Sequence, residues 1–470
     1  MSTSTAKAEV SASRKNQPTD LREWLEANGD VLTVVEKPVA IDDIGALTAQ
    51  SQGPIIFDNI KEYPGYRMCD MLVTRRRDQA RCLGVGEGDY LKTLARALRE
   101  PPAGYEDVET GPVKEVILTG KDADWTKLPV PWHSDTDGAA YITAAHIIED
   151  PDTGFYNYTH ARIMVLEPQR GVISFINRHA PTIMQKYRDR GMKEMPIAVI
   201  FGMHPAYEII GNFSGLHMDS HGELEMVGNV LGYPIPMVPC ETVPLRVPSN
   251  AEIIVEGHVN LTELFDEGQG PGPALTFIPR VQQMPEMRVT AITMRADKPI
   301  YRNHQACPET DHQTLPRLCH EAVIHNRLTE MGITVHDVQF PMWMGAAGVV
   351  IQIEHNRPGV VNDALMQTMG SPWMNTKWVI AISPDTDINS PNEVWLAVIT
   401  RCDPSRDLFV VPATRGAGFD PSAEPLPDHF PHRLVGKIGI DATVKTRHDA
   451  SDFEVTWPKN WGKVFLKDYL

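Results

Sequence analysis

Residues 223–232 read Glu-Leu-Glu-Met-Val-Gly-Asn-Val-Leu-Gly and residues 239–242 read Pro-Cys-Glu-Thr. They are followed by Val-Pro-Ser-Asn-Ala-Glu-Ile-Ile-Val-Glu-Gly at 247–257 and Asp-Glu-Gly-Gln-Gly-Pro-Gly at 266–272. Within this stretch, 251–256 is a short apolar run rich in β-branched side chains, set behind a Pro-Ser-Asn turn signal. It predicts a buried strand that delivers an acidic, glycine-rich loop at 266–272. Taken alone, the stretch gives a strand and then a flexible loop.

Outward from there, composition sets the bounds. A chain of 470 residues is long for one simple core and suggests two or three domains. Its 42% hydrophobic and 22% charged residues are those of a soluble globular protein. The net charge of −17 disfavours sequence-independent binding to nucleic acid or to anionic membrane. With 38 prolines and 34 glycines, turns are frequent, which fits mixed α/β better than a helical bundle. Cys69, Cys82, Cys240, Cys307, Cys319 and Cys402 are scattered without a C-x-x-C pair and read as reduced thiols of a cytoplasmic protein. Residues 1–18 are polar, without an apolar signal region, and read as a disordered tail. No apolar run approaches the ~20 residues of a spanning helix.

Asp20 with Glu23 reads as a capping box for a short helix through Leu21, Trp24 and Leu25. Strands are expected at 31–35 and 54–61, and Leu91, Leu94 and Leu98 have helical spacing over 90–98. A first α/β domain, 19–113, then ends in a loop rich in Pro, Gly and acids. From 114 to 310, short strands (113–118, 161–166, 172–176, 197–201, 251–255) between Gly/Pro turns predict a barrel or sandwich. Beyond 310 the chain predicts an amphipathic helix over 315–331 and apolar runs at Trp378–Ile382 and 394–399. This is a C-terminal α/β region, 311–470. Phe453, Trp457, Trp461, Phe465 and Tyr469 are unusual for a free tail and predict docking on a second subunit.

Three tempting signals fail. Gly84-Val85-Gly86-Glu87-Gly88 lacks the glycine spacing of a dinucleotide loop and puts an acid where phosphate would sit. His320-Glu321 with His325 misses the zinc-protease pattern by one residue, so an ordinary surface helix is the expectation. Arg75-Arg76-Arg77 reads as a solvated turn or a helix start.

The order of the opening stretch resembles the UbiD-like decarboxylases, which use a prenylated flavin mononucleotide (FMN) to remove or add carboxylate on aromatic and α,β-unsaturated acids. Further blocks follow the same order: Leu128-Pro129, Asp137-Gly138, Ile142-Thr143 and Asp150-Pro151-Asp152-Thr153-Gly154 upstream. Downstream stand Lys377-Trp378-Val379-Ile380, Asp385-Thr386-Asp387, Asn392-Glu393-Val394-Trp395 and Thr400-Arg401. The resemblance implies an α/β (α+β) protein with an N-terminal α/β domain, a central FMN-binding split β-barrel and a C-terminal α/β oligomerisation region.

In that family an Asn, a His and a Glu hold a divalent ion against the flavin phosphate, and Asn157, His179 and Glu223 stand at those positions. One imidazole and two oxygen ligands suit Mn²⁺, with Mg²⁺ or Fe²⁺ as substitutes; K⁺ is a further candidate. Arg178, in Asn-Arg-His, and Lys377 are placed toward the flavin. For catalysis the family pairs an Arg with two acids. Arg162 matches the Arg, whose planar fork can clamp a substrate carboxylate. Glu267 matches the first acid and can deliver a proton to the carbon that lost carbon dioxide. Read without the resemblance, these are a turn Asn, a core His, a surface Glu, a strand Arg in a salt bridge, a loop carboxylate and a solvated lysine.

The chain departs from the family at the second acid, where Gly272 stands, and just before Arg162, where it reads Thr159-His160-Ala161. The open readings are a substrate with a bulkier or charged substituent (a phthalate-type acid or an aryl thioester), proton transfer by Glu267 or water alone, or lost activity. Removing carbon dioxide from an aromatic ring leaves electrons that no side chain can accept, so a cofactor must supply the sink. Hence the expectations are a cytoplasmic carboxy-lyase, a homodimer or homohexamer, an aromatic acid as substrate, and a flavin prenyltransferase as the supplier of cofactor. The alternatives are a non-catalytic flavin-binding partner subunit and an ordinary flavin oxidoreductase, the latter without a nicotinamide fingerprint.

Overall fold

The computed structural model describes residues 17–175, 179–211, 222–270, 281–371 and 376–469, apart from 418–419, 421, 425, 427–431, 447 and 455. Six strands among them close into an antiparallel barrel. In order around it they are Ile253–Glu267, Glu194–Phe201, Tyr141–Glu149, Tyr156–Glu167, Arg170–Ile173 and Gln282–Met294, and the last pairs back onto the first. Alternation along the strands sorts the side chains. Ile142, Ala144, Ile163, Ile173, Ile197, Val199, Ile253, Val255, Val289 and Ile292 fall in one buried cluster that draws on all six strands, which makes it the barrel interior. Ala145, Ile147, Tyr158, Ala198, Ile200 and Ile254 face the other way, into a core shared with helices such as Glu223–Leu231 and Tyr90–Ala97.

The strand expected at 251–256 is the start of a 15-residue strand that runs on to Glu267, so Glu267 ends a strand instead of riding on a loop. It stays paired with Gln282–Met294 by shifting register between Glu256 and Gly257. A Cβ at Gly257 would lie 2.2 Å from the Arg288 carbonyl oxygen, so the shift requires glycine there. The motif acids in this stretch are scaffold. Glu256 accepts the Glu241 and Thr242 backbone N–H groups at 2.8 and 2.7 Å. Glu252, fully buried, takes two bonds from Arg22 of the N-terminal helix at 2.8 Å each.

Around the barrel, Thr33–Val35, Ile55–Phe57 and Arg67–Asp70 form a sheet completed by Ile300–Arg302, so the segment after the barrel returns to the N-terminal region. Five strands, Val335–Gln339, Gly348–Ile353, Trp378–Ile382, His432–Ala442 and Leu408–Ala417, make the C-terminal sheet, against which the helices Val360–Met369 and Pro391–Arg401 pack. The mixed α/β architecture with a central barrel is therefore present.

Several expectations need correction. The helix predicted over 315–331 is broken. Asp311–Thr314 and a tight turn at Leu315–Arg317 precede Cys319, whose φ of 65° ends the run before His320–Glu330 begins. That last helix belongs to the core, with His320 fully buried, and not to the surface. Arg76 opens the helix Arg76–Cys82, but it is buried against Glu321 and Asp337 at 3.0 and 3.4 Å, where a solvated turn was one expectation. Asp20 caps Glu23 N–H at 2.9 Å as read, while the Glu23 carboxylate reaches Thr19 N–H at 2.7 Å instead of Asp20. Trp457, Trp461, Phe465 and Tyr469 are exposed, with the two indoles stacked at 4.6 Å. Among the described residues no helix is long and apolar enough to cross a membrane.

Candidate active site

The strand Tyr156–Glu167 carries two clusters. At its start, Asn157 is buried, and its Nδ2 lies 3.3 Å from His179 Nδ1 and 3.3 Å from each Glu223 oxygen. His179 Nδ1 and Glu223 Oε1 are 3.4 Å apart. His179 is the first residue of the helix His179–Asp189 and Glu223 the first of Glu223–Leu231. Two helix N-termini, the ends that favour anions, therefore meet at one point. The Tyr158 backbone N–H donates to Glu223 at 3.2 Å and fixes that carboxylate against the strand.

This donor set fits a divalent cation. Ligand atoms about 2.1 Å from an octahedral ion stand about 3 Å from one another, close to the spacings found. Among the described residues no three His, Cys, Asp or Glu side chains gather at a metal-like spacing, and the third polar group beside His179 and Glu223 is the Asn157 amide. The Asn157 amide oxygen is buried without a hydrogen-bond partner. Turning the amide end for end brings that oxygen to the cluster, where a cation satisfies it.

Toward the other end of the strand, Arg162 meets Glu267 in a two-toothed pair, Nε to Oε1 at 2.5 Å and Nη2 to Oε2 at 2.9 Å. Glu267 is fully buried and Arg162 is 9% exposed. Their strands are not hydrogen-bonded neighbours, so the end of the long strand reaches over to Arg162. The turn behind Glu267 is held closely. Gly268 O accepts the Tyr141 hydroxyl at 3.1 Å, and Gln269 O accepts Gly138 N–H at 2.7 Å. A Cβ on Gly270 would lie 2.5 Å from the Tyr141 ring, so only glycine passes there.

Beside Arg162 lies a polar wall that the sequence reading did not single out. His160, two residues back on the same strand face, is half-buried and packs edge-to-face on His304, with ring centroids 5.2 Å apart. His304 Nδ1 donates to the carbonyl of Thr143, the cross-strand partner of Arg162, at 2.6 Å. Its Nε2 lies 3.2 Å from Glu208. Burial alone would raise the Glu208 carboxyl, but Arg302 and His304 hold it below the ordinary carboxylate range. Nothing in residues 303–308, Asn-His-Gln-Ala-Cys-Pro, announces this role; the one available signal was the changed sequence before Arg162.

Of the remaining expected residues, Lys377, just before the strand Trp378–Ile382, bonds Asp420 at 3.0 Å and Ser422 at 2.5 Å. Arg178 and Gly272 lie outside the described residues.

Residues 106–307 match the 3-octaprenyl-4-hydroxybenzoate carboxy-lyase Rift-related domain (UbiD), and 313–442 match the C-terminal domain of the same carboxy-lyase. The UbiD-class enzyme HmfF from Pelotomaculum thermopropionicum, solved in complex with FMN, is 31% identical, with a TM-score of 0.86 over 96% of this chain and 100% of that one. The chain belongs to the UbiD family of carboxy-lyases. An evolved dimeric form of HmfF, solved with prenylated FMN, aligns at 29% identity and a TM-score of 0.83, covering 96% of this chain and 100% of that one. Anhydromevalonate phosphate decarboxylase from Methanosarcina mazei is 26% identical over 432 residues, 92% of this chain and 96% of that protein. Membership in the UbiD family places a decarboxylase on this scaffold.

Proposed function

We propose that this UbiD-family chain is a prenylated-FMN-dependent, non-oxidative and reversible decarboxylase of an aromatic carboxylic acid or its aryl thioester. The observation that carries the reading is the single strand Tyr156–Glu167, which presents the cation-type cluster at one end and the Arg162–Glu267 pair five residues on. Asn157, His179 and Glu223 are assigned to the divalent ion (Mn²⁺, Mg²⁺ or Fe²⁺), which with K⁺ would hold the flavin phosphate; Arg178 and Lys377 are assigned to the flavin side. When bound, the flavin supplies the electron sink that side chains lack. Arg162 orients the substrate carboxylate through charge-assisted bonds. Glu267, hydrogen-bonded to Arg162 and shut off from water, is assigned to deliver a proton to the carbon that lost carbon dioxide. We assign domains at 19–113, 114–310 and 311–470, a homodimer or homohexamer, and a flavin prenyltransferase as the source of cofactor in the cytoplasm.

A non-catalytic partner subunit is the second reading, favoured by Gly272 where an acid is expected. The test is the mass and visible absorbance of cofactor released from protein co-expressed with a flavin prenyltransferase. Carbon dioxide release is assayed in the same preparation on aryl acids, aryl thioesters and a phosphorylated unsaturated acid. Prenylated flavin with turnover supports the enzyme; prenylated flavin with no turnover supports the partner subunit; absence of flavin overturns both.

A further inference from the structure

His160 shares its strand face with Arg162, two residues away along Tyr156–Glu167. Burial and the adjacent His304 push its imidazole well below the usual range, so the ring is uncharged at neutral pH. Behind the two rings, Arg302 is bonded to Glu208 at 2.7 Å, lies 3.3 Å from Asp70 and also bonds Asp311. Three carboxylates thus stand against one guanidinium, and even a charged His304 leaves that wall net negative. A second anion on the substrate would be repelled there, while an uncharged oxygen would find a neutral imidazole able to donate or accept.

We propose that His160 is a specificity residue that hydrogen-bonds an uncharged oxygen substituent of the substrate beside the carboxylate held by Arg162. The inference rests on the assignment of Arg162 as the carboxylate clamp. It turns the changed sequence before Arg162 into a selection device and disfavours the phthalate-type acid among the open readings. His304, fixed by Thr143 and Glu208, is the positioning residue that holds the His160 ring edge-on.

The experiment uses metal- and cofactor-loaded wild type, His160→Leu and His160→Asn, with benzoate, the three hydroxybenzoates, benzoyl thioester acids and the benzenedicarboxylates as probes. Binding is read by calorimetry, and carbon dioxide release gives KM and kcat separately. Wild type is expected to bind one hydroxy or thioester acid about tenfold tighter than benzoate, the size of one net hydrogen bond. His160→Leu should erase that advantage, raising KM about tenfold with kcat little changed, and His160→Asn should restore part of it. Equal losses for benzoate and the oxygenated acid would overturn the proposal as a merely structural role, and so would wild-type preference for a dicarboxylate. Binding preference without any carbon dioxide from wild type would overturn the decarboxylase reading and leave the selection role standing.

Discussion

Arg162 and Arg302 are two buried arginines, each gripping a glutamate with two bonds, yet their surroundings separate them. Arg302 is 2% exposed and is bound by Glu208, Asp70 and Asp311, which come from three parts of the chain. Asp311 also accepts the Leu72 and Val73 N–H groups at 2.6 and 3.0 Å, and Asp70 accepts Gln305 N–H at 2.9 Å. That network stitches the return segment to the N-terminal sheet. Arg162 keeps more exposure, lies within the strand Tyr156–Glu167 and faces an acid at the end of a strand that runs into a glycine turn. An ion pair whose partners are also wired to the backbone is scaffold, whereas the pair on the strand that also carries the Asn157 cluster is the one proposed for chemistry.

The sharpest way to break this distinction is to remove one partner from each. Glu267→Gln should lower turnover on the order of 10³-fold, as loss of a positioned proton donor does, measured as carbon dioxide release from loaded enzyme. Arg302→Met should instead cost about 3–5 kcal/mol of folding stability by leaving carboxylates buried without their counter-charge, measured by urea denaturation. If Glu267→Gln proves the more destabilising of the two, the distinction between site and scaffold fails. Asn157→Ala should weaken Mn²⁺ binding on the order of 10–100-fold, read by calorimetric titration; unchanged affinity would remove the amide from the ligand set.

A smaller effect separates the two faces of the barrel wall. His146, one strand over from His160, is buried among the interior side chains with both ring nitrogens unpartnered, and burial lowers its pKa to about 3. Because the folded value lies below the ordinary 6.5, the stability it confers is complete above pH 6.5 and is lost as pH falls toward 3. His146→Leu should therefore flatten the acid limb, with about 2 kcal/mol less stability lost between pH 6.5 and 5 than in wild type. Thermal unfolding across that range would show it, and parallel curves would contradict it.

The barrel was legible because its strands alternate with Gly/Pro turns and because ordered motif blocks span the chain. Asn157, His179 and Glu223 were reachable only through resemblance, since separations of 22 and 66 residues make no local pattern and it is folding that brings them within 3.4 Å. The length of the strand ending at Glu267 was missed because Asn260, Thr262, Glu263 and Asp266 interrupt the apolar pattern; pairing with Gln282–Met294 supplies what propensity does not. The helix over 315–331 was overcalled because apolar periodicity does not report a left-handed residue at Cys319. The wall of His160, His304, Glu208 and Arg302 joins three separate stretches of chain, and only the changed residues before Arg162 hinted at it.

On the proposed reading, one strand carries two separable functions, cofactor retention at Asn157 and turnover at Arg162. It is tested most directly by flavin content and carbon dioxide release measured together on wild type, Glu223→Ala and Glu267→Gln, all co-expressed with a flavin prenyltransferase. Glu223→Ala is expected to lose both flavin and turnover, while Glu267→Gln is expected to keep the flavin and lose turnover. Two variants that behave alike, both retaining or both losing the flavin, would contradict it.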